Sequence, residues 1–171
     1  MDKLRIGIIG TGGIAHKHMD SYKKMDDIEI IGAADIVPGK ARAFLDEFGL
    51  NDVPAFETKE ELLALKPDGV SYNSTHAECA IAAMEAGCDV LCEKPMSVTL
   101  EQAVEMARAQ VRTGKILTIG FQPRYDPNMR MVKDIVRSGE LGHIYYIQTG
   151  GAYPAPPSCR RIPRAWAVWP I

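Results

Sequence analysis

The residues with the clearest chemical pattern are Gly10–Ala15, whose sequence Gly-Thr-Gly-Gly-Ile-Ala has the form G-x-G-x-x-A. The pattern follows an apolar segment and opens a segment of helical character, which is the context that a dinucleotide-binding turn requires. The first glycine permits a tight turn, the second lets the backbone approach a pyrophosphate, and the alanine allows close helix–strand packing. The N–H groups and dipole at the helix N-terminus favour the anion. We therefore predict a pyrophosphate site formed by Gly10, Gly12, Gly13, Ile14 and Ala15.

An acidic residue, Asp35, ends the second predicted strand, 20 residues after Ala15. At this distance from the turn, a carboxylate is expected to accept hydrogen bonds from the adenosine ribose hydroxyls. The same carboxylate would repel a 2′-phosphate, so the sequence favours NAD over NADP. The alternative is a flavodoxin-like fold in which the glycine turn arises by chance.

Two further segments follow predicted strands and carry polar side chains suited to a substrate. Lys94 lies in the segment Cys92–Pro95, where it could hydrogen-bond a substrate hydroxyl and help remove its proton. Arg124 and Tyr125 follow the predicted strand Ile116–Phe121 and could orient a polyol. Ligands of doubly wound sheets bind at the carboxyl ends of the strands, which favours these roles. A surface lysine and a solvated loop remain the alternatives.

The histidines and cysteines do not predict a metal site. His16 and His18 are two residues apart on a predicted helix, so they do not share a face. His76 lies in the first turn of the fourth predicted helix, where it either contacts the cofactor or simply follows the helix cap. The four cysteines form no C-x-x-C pair and are expected to serve as small apolar residues; they are Cys79, Cys88, Cys92 and Cys159.

The charge and hydropathy of the chain exclude several classes of partner. Lys and Arg number 20 and Asp and Glu 22, giving a net charge of −2, which does not favour nucleic acid or an anionic membrane as partner. No apolar run approaches the roughly 18 residues of a membrane span. The N-terminus lacks the apolar core of a signal peptide, so we expect a cytoplasmic protein.

Short apolar runs alternate with amphipathic segments of helical length, a pattern typical of βαβ units. The predicted fold class is α/β, a doubly wound parallel sheet of the Rossmann type. Capping boxes at Thr58, Thr75 and Thr99 begin three of the helices. The predicted strands are Leu4–Gly10, Ile28–Asp35, Gly69–Tyr72, Asp89–Cys92 and Ile116–Phe121. The other predicted helices are Gly13–Lys24, Pro38–Phe48 and Asp126–Ser138.

The sequence predicts three regions. Residues 1–122 form the dinucleotide-binding domain, and residues 123–153 supply a linker helix and the first strand, His143–Thr149, of a second domain. Residues 154–171 show neither a period of 2 nor one of 3.6, and are expected to form an irregular tail.

The chain resembles the glucose–fructose oxidoreductase / inositol dehydrogenase (Gfo/Idh/MocA) family from about Leu4 to about Tyr153. The most specific motifs are Ala-Met-Glu-Ala-Gly at 83–87, Asp-Val-Leu-Cys-Glu-Lys-Pro-Met at 89–96, and Gly-Glu-Leu-Gly at 139–142. The resemblance implies a Rossmann domain followed by an α/β domain with a mostly antiparallel sheet. It also implies NAD(P)-dependent oxidation or reduction of sugars or polyols.

The resemblance assigns roles to particular residues. Lys94 corresponds to the substrate-binding and catalytic lysine, and a cis peptide bond is expected between Lys94 and Pro95, since only proline readily tolerates one. Asn73, His76 and Glu93 are assigned with Lys94 to the cofactor site. Two departures stand out: the segment Val70–Thr75 is shorter than is typical, and the second-domain motif D-x-G-x-H-x-x-D, which supplies a catalytic histidine, is absent from this sequence.

These departures lead us to expect a chain that binds the cofactor and lacks full activity, with its oligomer interface missing as well. One alternative is a nucleotide-binding module without chemistry. Another is a non-functional fragment made by a shift of reading frame just after Tyr153. A one-base shift would turn the codons of Trp166 and Trp169 into glycine codons, which fits a glycine-rich loop typical of the family at this point. A natural short form is the remaining possibility.

Overall fold

The computed structural model describes residues 2–72, 77–148 and 150, and it divides into two compact units between Asp126 and Pro127. The first unit contains a six-stranded sheet in the order β3-β2-β1-β4-β5-β6, in which every pairing is parallel. This topology confirms the predicted doubly wound α/β fold. The strands are β1 (Leu4–Ile9), β2 (Ile28–Ala34), β3 (Ala55–Phe56), β4 (Gly69–Tyr72), β5 (Asp89–Cys92) and β6 (Leu117–Ile119).

The helices of the first unit follow the strands in alternation. They are α1 (Gly13–Tyr22), α2 (Lys40–Glu47), α3 (Lys59–Leu63), α4 (Ala77–Glu85) and α5 (Leu100–Thr113), with a short 3₁₀ turn at Gln122–Tyr125. Capping boxes at Thr58 and Thr99 begin α3 and α5, as the sequence predicts. The third predicted capping box, at Thr75, lies outside the described residues. No helix within the described ranges is long and apolar enough to cross a membrane.

The core consists of two apolar clusters. Ile8 belongs to the cluster that includes α1 and α2, whereas Ile9 belongs to the cluster that includes α4 and α5. Adjacent strand residues point to opposite faces of a sheet, so β1 contributes to both clusters. The central strand is thereby fixed between two layers of helices.

The register of the sheet aligns the carboxyl ends of its strands. Ile9 pairs with Ala34 and with Tyr72, Tyr72 pairs with Cys92, and Cys92 pairs with Ile119. The residues that follow these positions therefore lie along one edge. Gly10, Asp35, Glu93 and Gly120 lie at this carboxyl end of the sheet, because each directly follows the last paired residue of its strand.

The second unit contains α6 (Pro127–Ser138), as the sequence predicts within one residue. The predicted strand His143–Thr149 is wrong for residues 143–148, which form no strand. Tyr145, Tyr146 and Ile147 are 85%, 65% and 58% exposed. A strand needs a hydrogen-bonded neighbour, and the described part of the chain offers this segment none. Thr149 and the tail 151–171 lie outside the described residues.

Two smaller differences concern β3 and α2. β3 was not predicted from the sequence, because its two residues are too few to show a periodic pattern. The second helix begins at Lys40 and not at Pro38, since Gly39 adopts a left-handed conformation with φ of 75°.

Candidate functional site

The turn between β1 and α1 has the geometry of an open anion site. Gly10 adopts φ of 81°, which favours glycine, and its N–H donates to Ala34 O at 2.8 Å. Ala15 is fully buried against the sheet. No side chain among the described residues caps the N-terminus of α1, and its first turn holds no acidic residue. Threonine side chains cap the N-terminal ends of α3 and α5, whereas the N-terminal ends of α1 and α2 have no side-chain cap among the described residues.

Space above the turn is open. A Cβ atom built on Gly12 or on Gly13 would meet no atom within 4 Å. Gly12 itself has φ of −77° and ψ of −175°, an extended conformation that any residue can adopt. Neither the backbone conformation nor a neighbouring atom of the described residues therefore requires glycine at position 12.

Asp35 is nearly buried, with a side chain that is 5% exposed, and it holds the turn in place. Its Oδ2 accepts hydrogen bonds from the N–H and the hydroxyl of Thr11, both at 2.8 Å, and from Lys40 Nζ at 2.9 Å. Its Oδ1 accepts one from the N–H of Val37 at 3.0 Å. Oδ1 therefore keeps capacity for one further donor, such as a ribose hydroxyl.

The same contacts set the charge of Asp35. Burial raises the pKa of this carboxyl, but the hydrogen bond from Lys40, followed by those from Thr11 and Val37, outweighs burial and lowers the pKa to about 2. The carboxylate is therefore ionised at neutral pH. Neither Lys40 nor Thr11 was predicted from the sequence as a partner of Asp35.

A cleft of about 420 Å³ lies between the glycine turn and Asp35. It brings together the backbone and the carboxylate that the sequence assigned to the same ligand. Its wall includes Gly10, Gly12, Asp35, Lys40, Lys59 and Tyr72.

Glu93 connects three elements at the carboxyl edge of the sheet. Its side chain is 9% exposed, and Oε1 lies 2.8 Å from His18 Nε2, which donates to it in the Nε2–H tautomer. Oε1 also accepts from Gln122 Nε2 at 3.1 Å, and Oε2 accepts from the N–H of Lys94 at 3.3 Å. A Cβ on Gly120 would lie only 2.9 Å from Oε1, so glycine makes room for the carboxylate. Glu93 thus links α1 and the segment after β6 to the peptide that carries Lys94.

Lys94 is exposed at this edge, and its peptide bond to Pro95 is cis, as expected. Among the described residues, no hydrogen bond or ion pair engages its Nζ. Its role toward a substrate stays a prediction.

The other predicted site residues lie away from the cleft or outside the described residues. Arg124 and Tyr125 lie in the exposed 3₁₀ turn after β6, but neither lines the cleft, and it is Gln122 from this turn that contacts Glu93. Their substrate role stays a prediction. Asn73 and His76 lie outside the described residues.

The histidines and cysteines have separate surroundings. Within the part of the chain that the structure describes, no group of three or more His, Cys, Asp or Glu side chains could hold a metal ion. His16 Nε2 pairs with Glu47 Oε2 at 3.0 Å, so the two helix histidines have different partners. Burial raises the pKa of Cys92 to about 11, which keeps its thiol protonated at neutral pH.

A parallel sheet in this order, with a glycine turn after β1 and an acid after β2, defines a Rossmann domain of the dinucleotide-binding type. Comparison with known proteins agrees. Residues 4–121 match the family described as "Oxidoreductase family, NAD-binding Rossmann fold", Gfo/Idh/MocA, and the chain belongs to this family.

Among curated proteins, the chain is 38% identical over 146 residues to D-glucoside 3-dehydrogenase of Escherichia coli, covering 83% of this chain and 41% of that protein. It is 31% identical over 158 residues to myo-inositol 2-dehydrogenase of Thermotoga maritima, covering 90% and 47%. The chain thus spans less than half the length of these relatives.

Solved structures show the same fold. The WlbA dehydrogenase of Chromobacterium violaceum, in complex with NADH and UDP-GlcNAcA, matches with a TM-score of 0.78 and 28% identity, over 85% of this chain and 43% of that one. The myo-inositol 2-dehydrogenase of Lactobacillus plantarum matches with a TM-score of 0.76 and 27% identity, over 85% and 44%.

Proposed function

We propose that this chain binds NAD, with the pyrophosphate on the N-terminal end of α1 and the adenosine ribose beside Asp35. The observation that carries the proposal is the uncapped N-terminus of α1 facing an open cleft whose wall includes an ionised carboxylate. The residues present fit the cofactor, because the positions that a Cβ would occupy on Gly12 and Gly13 have no atom within 4 Å. The NADH bound by a structural relative supports the same assignment.

Asp35 supports a preference for NAD over NADP. Its carboxylate is ionised and has an acceptor site left on Oδ1, which suits a ribose hydroxyl and disfavours a 2′-phosphate. Asn73, His76 and Glu93 belong to the proposed cofactor site through the family resemblance.

In the whole-length protein we assign this domain to hydride exchange with a sugar or polyol, the substrate class of the curated relatives. Bound NAD supplies the hydride acceptor. Lys94 binds the substrate hydroxyl oxygen by donating a hydrogen bond from its ammonium group, and this polarises the O–H bond. Glu93 fixes the peptide that carries Lys94, and Arg124 and Tyr125 orient the substrate.

A second candidate is nucleotide binding without turnover by the 171-residue chain alone. It is favoured by one observation, the absence of a D-x-G-x-H-x-x-D motif from this sequence. We expect no NAD-dependent oxidation of inositol or glucose by this polypeptide, measured as NADH absorbance. Turnover that Lys94→Met abolishes would contradict this expectation.

The experiment that tests NAD binding is calorimetric titration of wild type and Gly12→Val. The variant should fold, because the conformation at position 12 suits valine and nothing lies within 4 Å of its Cβ. Its side chain would fill the space above the turn, so we expect NAD affinity to fall by at least about tenfold, which corresponds to 1.4 kcal/mol. Equal affinity in the two proteins, with equal thermal stability, would refute the assignment of the turn.

A further inference from the structure

The carboxylate at the ribose end of the cleft is paired with a cation. Lys40 Nζ lies 2.9 Å from Asp35 Oδ2, and both residues line the cleft. The other charged side chains in the cleft wall are Glu57, Lys59 and Glu60. Of the two lysines in the cleft wall, Lys59 pairs with a different carboxylate, Glu60, through Nζ and Oε1 at 2.8 Å. Lys40 is therefore the lysine that contacts Asp35, the predicted acceptor of the ribose hydroxyls.

The two partners differ in their access to a ligand. The side chain of Asp35 is 5% exposed, whereas that of Lys40 is 43% exposed. Oδ2 of Asp35 is already occupied by three donors, two from Thr11 and one from Lys40. An anion that approaches this end of the cleft therefore meets the ammonium group more readily than the carboxylate.

We propose that Lys40 is a specificity-determining residue of the nucleotide site, because its ammonium offsets the repulsion between Asp35 and a 2′-phosphate. The inference rests on the proposed NAD site and adds to it. NAD is still preferred, but Lys40 keeps the preference moderate, so that NADP also binds.

The effect of Lys40 is selective for NADP. A 2′-phosphate carries up to two negative charges and accepts hydrogen bonds from an ammonium group, whereas the 2′-hydroxyl of NAD is neutral. Loss of Lys40 would still leave Asp35 three donors, from Thr11 and Val37, so the carboxylate would stay in position. The NAD contact would then be largely unchanged, while the 2′-phosphate would face a carboxylate without its counter-ion.

The test is calorimetric titration of the full 171-residue chain with NAD and with NADP, in wild type, Lys40→Met, Lys40→Arg and Lys24→Met. Lys24 is exposed, lies outside the cleft, and gives the same change in net charge. Circular dichroism verifies that each protein is folded. For Lys40→Met we expect the Kd for NADP to rise about tenfold, as for the loss of one charge-assisted hydrogen bond, and the Kd for NAD to change less than about twofold.

Lys40→Arg should stay close to wild type, and Lys24→Met should change neither Kd. The Kd for NADP should also rise more steeply with salt in wild type than in Lys40→Met, because the contact is ionic. If wild type binds NAD and Lys40→Met shifts both nucleotides equally, or neither, the inference is wrong and the proposed function stands. If folded wild type binds neither nucleotide, both are refuted.

Discussion

Replacement of Asp35 by asparagine should destabilise the fold as well as alter the nucleotide site. Asparagine keeps the size of the side chain and removes its charge, so it resembles the protonated acid. The pKa of Asp35 is lowered from 3.8 to about 2, and at about 1.4 kcal/mol per pH unit this difference corresponds to about 2 kcal/mol. We expect Asp35→Asn to lose about this free energy of unfolding at pH 7.

The sign of the pH dependence follows from the direction of the shift. Because the pKa is lower in the folded protein, the stabilisation by Asp35 is fully present above the unfolded value of 3.8 and is lost as the pH falls through about 2. The difference between wild type and Asp35→Asn should therefore be constant from pH 7 to pH 5 and should largely vanish by pH 2. Urea unfolding followed by circular dichroism, at a series of pH values, measures it.

Asp46→Asn is the matched control. Asp46 Oδ1 accepts from Arg42 Nε at 2.9 Å, but the two side chains are 50% and 36% exposed, so the pair should contribute under about 1 kcal/mol. If Asp35→Asn costs no more than Asp46→Asn, or if its cost does not depend on pH, Asp35 does not hold the turn as argued. In that outcome, a change in nucleotide affinity caused by an Asp35 substitution would reflect the loss of the ribose contact alone.

Two further predictions concern the Glu93 contacts. His18→Leu removes a donor from a nearly buried carboxylate and should lower the free energy of unfolding by about 1–3 kcal/mol, with partial recovery in His18→Gln, measured by urea unfolding. An unchanged midpoint in His18→Leu would contradict the contact. Gly120→Ala places a Cβ 2.9 Å from Glu93 Oε1 and should cost about 1–3 kcal/mol, seen as a lower Tm, whereas Gly12→Ala, with nothing within 4 Å, should not. Equal Tm values for the two alanine variants would count against the close approach.

Features that depend on neighbours in the chain could be predicted from the sequence. The capping boxes at Thr58 and Thr99 join residues three positions apart, and the glycine turn follows its own strand directly. The alternation of strands and helices restricts the topology further, because parallel strands need right-handed crossovers. These local patterns predict a doubly wound parallel sheet and place Asp35 and Lys94 directly after strands. The order of the six strands and the existence of the two-residue β3 were decided by the tertiary structure.

Contacts between distant residues were decided by the packed fold. His18 and Glu93 are 75 residues apart and Gln122 and Glu93 are 29 apart, so no local pattern joins them. The sheet register aligns the ends of β5 and β6, which brings Gln122 to Glu93, and His18 of α1 reaches the same carboxylate. Lys40 and Asp35 are only five residues apart in the sequence. Their contact nevertheless depends on Gly39, whose positive φ turns the chain before α2 begins. In the segment 143–148 the sequence favours a strand, but no strand forms, because the described residues provide no neighbouring strand for it to pair with. A sequence carries each residue's preference, but a hydrogen bond also needs the partner that folding brings to it.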